Sequence, residues 1–146
     1  MAFPTLMTAA TNGDVDALGA CYADATTQLD LDARDPSTGF TACALAACRG
    51  HTEFVVALHA LGADVDSLVD GVGATPAYVA AREGHASCVL RLHELGADVT
   101  TPAKEFGDTP VYIAAQNGHA DVVATLRACG ADVSAADHEG HTPIYM

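Results

Sequence analysis

Tryptophan is absent from these 146 residues, and aromatic residues make up 5% of a chain that is half apolar. So few large rings give a single globular core little bulk to close around. A stack of thin, alanine-rich helices suits the composition better. No run of about 18 apolar residues occurs, so no membrane-spanning helix is expected. Nor does the N-terminus carry a basic segment followed by an apolar one. A soluble cytoplasmic protein is expected, with the nucleus as the alternative. Basic residues are scarce: six stand against nineteen acidic ones, a net charge of -13. That balance disfavours nucleic acid, because holding a phosphate backbone calls for a basic stripe. The single lysine is Lys104, and no Gly-x-x-x-x-Gly-Lys loop is present to cradle phosphates. The serines are few and none has the setting of a nucleophile elbow. Neither catalysis nor a cofactor is expected. The five cysteines lack paired spacing, which argues against a disulfide or metal framework and for a reducing compartment.

What the chain has is a period. Thr109 to Val133 reads TPVYIAAQNGHADVVATLRACGADV, and it is echoed 34 positions earlier by TPAYVAAREGHASCVLRLHELGADV and again by TACALAACRGHTEFVVALHALGADV. Independent landmarks keep the spacing: His51, His85 and His119; Gly62, Gly96 and Gly130; Val65, Val99 and Val133. Each copy has the same inner grammar. Thr75 and Thr109 are good helix N-caps, and Pro76 and Pro110 follow where a first helical residue has no hydrogen bond to lose. The pairs Ala46/Ala47, Ala80/Ala81 and Ala114/Ala115 keep this helix thin, and Gly50, Gly84 and Gly118 close it. A second helix follows, with Phe54, Val55 and Leu58, or Val89, Leu90 and Leu92, or Val122, Val123 and Leu126, as one buried stripe. Helices this short are marginal alone. They must stack into a solenoid, which needs roughly three or more units to hold.

Recurring in register, Thr-Pro, Ala-Ala-x-x-Gly-His and Gly-Ala-Asp-Val resemble the ankyrin repeat over nearly the whole chain. The resemblance implies an all-α solenoid of stacked helix-turn-helix units with β-hairpin fingers, about four units plus a truncated fifth. By register these are 1–34, a diverged capping unit, then 35–68, 69–102, 103–135 and a partial 136–146. The gap from Gly13 to Gly50 is 37, so an insertion is expected around Ala25 to Gln28. Gly39, Gly73, Gly107 and Gly140, each two residues before a Thr, mark the fingers. The sequence departs from the family where His usually follows Thr-Pro-Leu. Here stand Tyr78, Tyr112 and Tyr145, with Ala44 in the weakest copy and Ala42 in place of its proline. These departures bear on the family's His hydrogen bonds between units, not on the fold. The tyrosines are expected to cover the joints between units, with phosphorylation as the alternative.

Cys21, Cys43, Cys88 and Cys129 fall on apolar positions and are expected to be buried, whereas Cys48 is expected outside. His51, His85 and His119 sit one per unit, too far apart for a shared zinc, and His138-Glu139-Gly140-His141 has its histidines three apart rather than four. No metal site is expected. Asp14, Asp16, Asp24, Asp30, Asp32 and Asp35 face only Arg34. They read either as a solvated face that keeps the solenoid soluble or as steering for a basic partner.

In ankyrin-like proteins binding usually uses the finger tips and the exposed side of the first helices, which form a concave face. The resemblance therefore implies a non-enzymatic module for a protein or peptide partner. Mapped by register, the tips are Phe40, Val72, Ala74, Glu105, Phe106, Asp108, His138 and His141. The helix face is Arg49, Arg82, Glu83, Gln116 and Asn117. Phe40 and Phe106 are aromatics the scaffold does not demand, so they are either anchors or patches folded back on a finger. The truncated end leaves two further readings: self-association through the face after Met146, or a targeting segment of a larger protein.

Overall fold

A computed structural model of the chain describes residues 5–23, 29–136 and 139–142. The expected insertion at Ala25 to Gln28, together with His138 and Tyr145, lies outside them. Helices follow one another in pairs: α1 (Leu6–Asn12) and α2 (Val15–Ala23), α3 (Ala42–Arg49) and α4 (Thr52–Ala60), α5 (Pro76–Glu83) and α6 (Ala86–Glu94), α7 (Pro110–Gln116) and α8 (Ala120–Ala128). The first members stack as one row, α1 on α3 on α5 on α7, and the second members as another, α2 on α4 on α6 on α8. Each helix therefore leans on its own partner and on the copies before and after it.

Local chemistry sets the ends. The Thr75 hydroxyl oxygen accepts from the Tyr78 N–H and the Thr109 oxygen from Tyr112, each at 3.2 Å. Thr41 does the same for Ala44 at 3.2 Å, even without a following proline. These bonds satisfy donors that a helix start leaves open. At the far end the chain turns left-handed at Gly50 and Gly84, with φ of 72° and 86°. A sharp reversal then starts the second helix.

The core is a ribbon of small side chains between the rows. Ala46, Ala47, Ala80 and Ala81 are fully buried, and so are Phe54, Leu58, Leu92 and Leu126 from the second helices. Each of those larger side chains contributes roughly 1.5 to 3 kcal/mol by leaving water. Tyr78 and Tyr112 are buried, as expected of rings at the joints. The expected stripe on α6 needs correction: Leu90 is 44% exposed, and Cys88 joins Val89 and Leu92 on the buried side. A 100° step from Val89 carries Leu90 off the stripe.

The cysteines also differ from expectation. Cys43 and Cys88 are buried, but Cys21 and Cys129 are only half-buried. Each belongs to an outermost helix pair among the described residues. Cys48 is half-buried too and touches the core. Burial raises its thiol pKa, and the Glu83 charge adds to this while Arg82 and Arg49 oppose it.

Units are tied at their joints by the histidines that follow the helix-closing glycines. Nε2 of His51, His85 and His119 lies 3.0 Å from the carbonyl oxygens of Thr11, Cys48 and Arg82 in the preceding unit. A carbonyl only accepts, so Nε2 carries the proton. A second tie runs along the turns after the outer helices, where the Asp32 carboxylate accepts from Asp64 N at 2.9 Å and Asp66 from Asp98 N at 3.0 Å.

Candidate protein-interaction face

The fingers project beside the first row of helices and are tight turns. Val69 N–H donates to Ala74 O at 2.9 Å and Gly73 N–H to Val69 O at 2.9 Å, and the next finger repeats this with Ala103 to Asp108 at 3.0 Å and Gly107 to Ala103 at 2.7 Å. Too short for a ladder, they form one antiparallel bridge among the described residues, Arg34 to Thr41. Neighbouring fingers hold one another through Asp70 N to Gly39 O at 3.0 Å and Glu105 N to Val72 O at 3.2 Å. A Cβ on Gly73 would meet the Lys104 side chain at 2.8 Å. That side chain therefore lies back against the preceding finger.

Residues expected on the helix face divide into free-standing and committed groups. Arg49 is exposed on the last turn of α3. Arg82 lies half-buried on α5 and its Nε pairs with Glu83 at 2.8 Å. Asn117 turns into the joint, its Nδ2 donating to Arg82 O at 3.0 Å beside His119. Among the finger residues, Ala74 is 2% exposed and belongs to the core, a correction that follows from its place directly before the capping threonine. Val72 and Phe40 are half-buried against the core. Phe40 thus folds back, whereas Phe106 stands 51% exposed.

The C-terminal part of this face holds an open groove of about 510 Å³. The finger before α7 gives it Glu105, Phe106 and Asp108, the helix gives Tyr112 and Gln116, and the next finger gives Glu139 and His141. Five of the expected positions thus meet at one place, while Arg49 and Arg82 do not line it. Asp108 carries its field as far as the unit before: burial raises the Tyr78 hydroxyl pKa, and the Asp108 charge adds to this while Arg82 opposes it. Sequence reasoning missed Tyr112 and Glu139. Register could have found Glu139, which precedes Gly140 as Phe106 precedes Gly107. Tyr112 escaped because its ring is buried at a joint while still lining the groove floor.

In the acidic N-terminal third, Asp14, Asp30, Asp32 and Asp35 accept hydrogen bonds from the backbone or from hydroxyls. Asp14 accepts from Ala17 N at 2.9 Å to cap α2, and Asp30 from Asp32 N at 3.0 Å. Asp35 accepts from the Ser37 and Thr38 hydroxyls at 2.6 Å each, and these bonds hold its carboxyl below the usual 3.8. Arg34 pairs not with these neighbours but with Asp70, at 3.2 Å.

No helix among the described residues is long and apolar enough to cross a membrane. No curated protein matches the chain. Family patterns do: ankyrin repeats in three copies match residues 6–103, and a further ankyrin repeat matches 106–138. With paired helices stacked in two rows and the matches covering most of its length, the chain belongs to the ankyrin repeat family.

Proposed function

We propose that this protein is a non-enzymatic recognition module that binds a protein or peptide across the concave face, its four helix pairs dividing at 34/35, 68/69 and 102/103 with a partial fifth unit after 135/136. Ankyrin repeats are in general protein-interaction modules, and they are typically non-enzymatic. The observation that carries the reading for this chain is Phe106, an aromatic ring left 51% exposed at the mouth of the groove where fingers and first helix meet. A ring that contributes nothing to the core and stands beside a concavity is the kind of anchor that dominates interfaces. Arg49 extends the same face toward the N-terminal units, and Arg82 presents a guanidinium already oriented by Glu83. Phe40, half-buried, supports its finger.

The test compares Phe106→Ala and Arg49→Ala with the wild type in an affinity pull-down from the source cell, with thermal melts run in parallel. Both positions are exposed, so stability is expected to change by less than about 0.5 kcal/mol while partner recovery falls. A Phe106→Ala protein that melts well below the wild type places the ring in the scaffold and removes the proposal.

A further inference from the structure

Resting on that reading, we infer that the groove at the C-terminal fingers takes a positively charged side chain, arginine or lysine, of an extended partner segment. Three features of the groove point the same way. Its walls carry the carboxylates Glu105, Asp108 and Glu139 against a single histidine, His141, whose Nδ1 lies 3.6 Å from Glu139, and include no arginine or lysine. Lys104, the cation nearest in sequence, has its side chain against Gly73 of the preceding finger. And the exposed Phe106 ring lines the same groove as these carboxylates. An aromatic face attracts a cation within about 6 Å of its centre, and a carboxylate beside it takes up the guanidinium or ammonium hydrogens. The same wall would repel an acidic segment and leave a purely apolar one facing charge.

The dimensions agree. A space of about 510 Å³ lies within the range of roughly 300 to 1,000 Å³ typical of sites for small organic groups. One long side chain with its adjoining backbone fits, and the open mouth suits a segment that passes through rather than a ligand that is enclosed. Asp14, Asp30 and Asp35 of the N-terminal third each accept hydrogen bonds within a cap or turn. The acidic hollow there, lined by Leu29, Asp30, Leu31, Asp32 and Gly62, offers no aromatic ring, so ring and carboxylates meet at the C-terminal fingers. The net charge of -13 adds long-range attraction for the same sign of partner.

The experiment pans a displayed library of random twelve-residue peptides against the wild type, a Glu105→Gln/Asp108→Asn/Glu139→Gln variant and an Arg49→Ala/Arg82→Ala variant. Because Asp108 also acts on Tyr78, a Glu105→Gln/Glu139→Gln variant, changed only at exposed positions, stands in should the triple variant melt early. The wild type is expected to select peptides with arginine or lysine at one fixed position, and the carboxylate variants to bind those peptides roughly tenfold more weakly. Selected peptides that lack a basic residue, bind the carboxylate variants undiminished and lose binding to the Arg49→Ala/Arg82→Ala variant overturn this inference while leaving the concave-face reading in place. No selection of any peptide by the wild type overturns this inference, and the pull-down with Phe106→Ala then judges the broader reading separately.

Discussion

Gly50 and Gly118 occupy the same place in their repeats and have nearly the same backbone, with φ of 72° and 77°. Their surroundings differ. A Cβ on Gly50 would sit 2.7 Å from Nδ1 of His85, whose ring lies over the glycine to reach Cys48 O, whereas a Cβ on Gly118 meets nothing within 4 Å among the described residues. Alanine at either site bears the left-handed strain of roughly 1 to 2 kcal/mol. Only at Gly50 must it also displace the ring that ties two units, with a part-buried hydrogen bond worth roughly 0.5 to 1.5 kcal/mol at stake. Urea unfolding is therefore expected to show Gly50→Ala less stable than Gly118→Ala by about 1 kcal/mol. Equal losses would mean that the glycine is kept for its backbone alone and that the histidine joint adds little. The pair explains why Gly-His recurs as a unit in this sequence: one residue makes the turn, and its lack of a side chain leaves room for the next unit's imidazole.

The turns that close the outer helices show how an element can be held by charge. Asp98 accepts from the Thr100 hydroxyl at 2.6 Å and the Thr100 N–H at 2.8 Å. The hydroxyl bond first, and the amide bond with it, hold the Asp98 carboxyl below its usual 3.8. Asp132 and Ser134 repeat the arrangement. A carboxyl whose pKa is depressed by folding adds stability above its unfolded value and loses it as pH falls through the folded one. Thr100→Val, which removes the hydroxyl, is therefore expected to raise the Asp98 pKa. Stability should fall relative to wild type near pH 7, and the gap should close as pH falls through the depressed folded value. Carbon-13 carboxyl titration with urea midpoints near neutrality and in acid checks this; a gap that persists in acid would assign the loss to shape rather than charge. These turns, the threonine caps and the helix-closing glycines were all legible in sequence, because each is a local device repeated at a fixed period. Exposure was less legible. Leu90 shares the apolar character of Val89 but sits one helical step off the stripe, and Cys48 occupies a surface register position that the next unit covers. The groove was legible only in pieces: its lining comes from 105–108, 112–116 and 139–141, and only the stacking of fingers brings these together.

At the scale of the whole molecule, one charge excess acts with opposite signs on folding and on recognition. The net charge of -13 is partly concentrated along the turns. Asp66 shows the cost there: burial raises its carboxyl pKa, and the Asp64 and Asp98 charges raise it too, against the Asp98 N–H bond that lowers it. Like charges drawn into a stack repel more in the folded rod than in the expanded chain, so screening them favours the fold. In the groove three carboxylates stand against one histidine, His141, 3.6 Å from Glu139, so their excess charge attracts an approaching cation, and salt screens that attraction equally. Between about 10 mM and about 300 mM sodium chloride the screening length shrinks from roughly 30 Å to roughly 6 Å, shorter than most distances along the array. The urea midpoint is expected to rise over this range, while the affinity for an arginine-bearing peptide selected by the groove falls several-fold. The two curves separate the roles of the acid. A midpoint that does not rise would mean that the hydrogen bonds of the turns already absorb the repulsion. Affinity indifferent to salt, with the midpoint rising, would make the carboxylates a device for solubility alone and place recognition on Phe106 and the arginines.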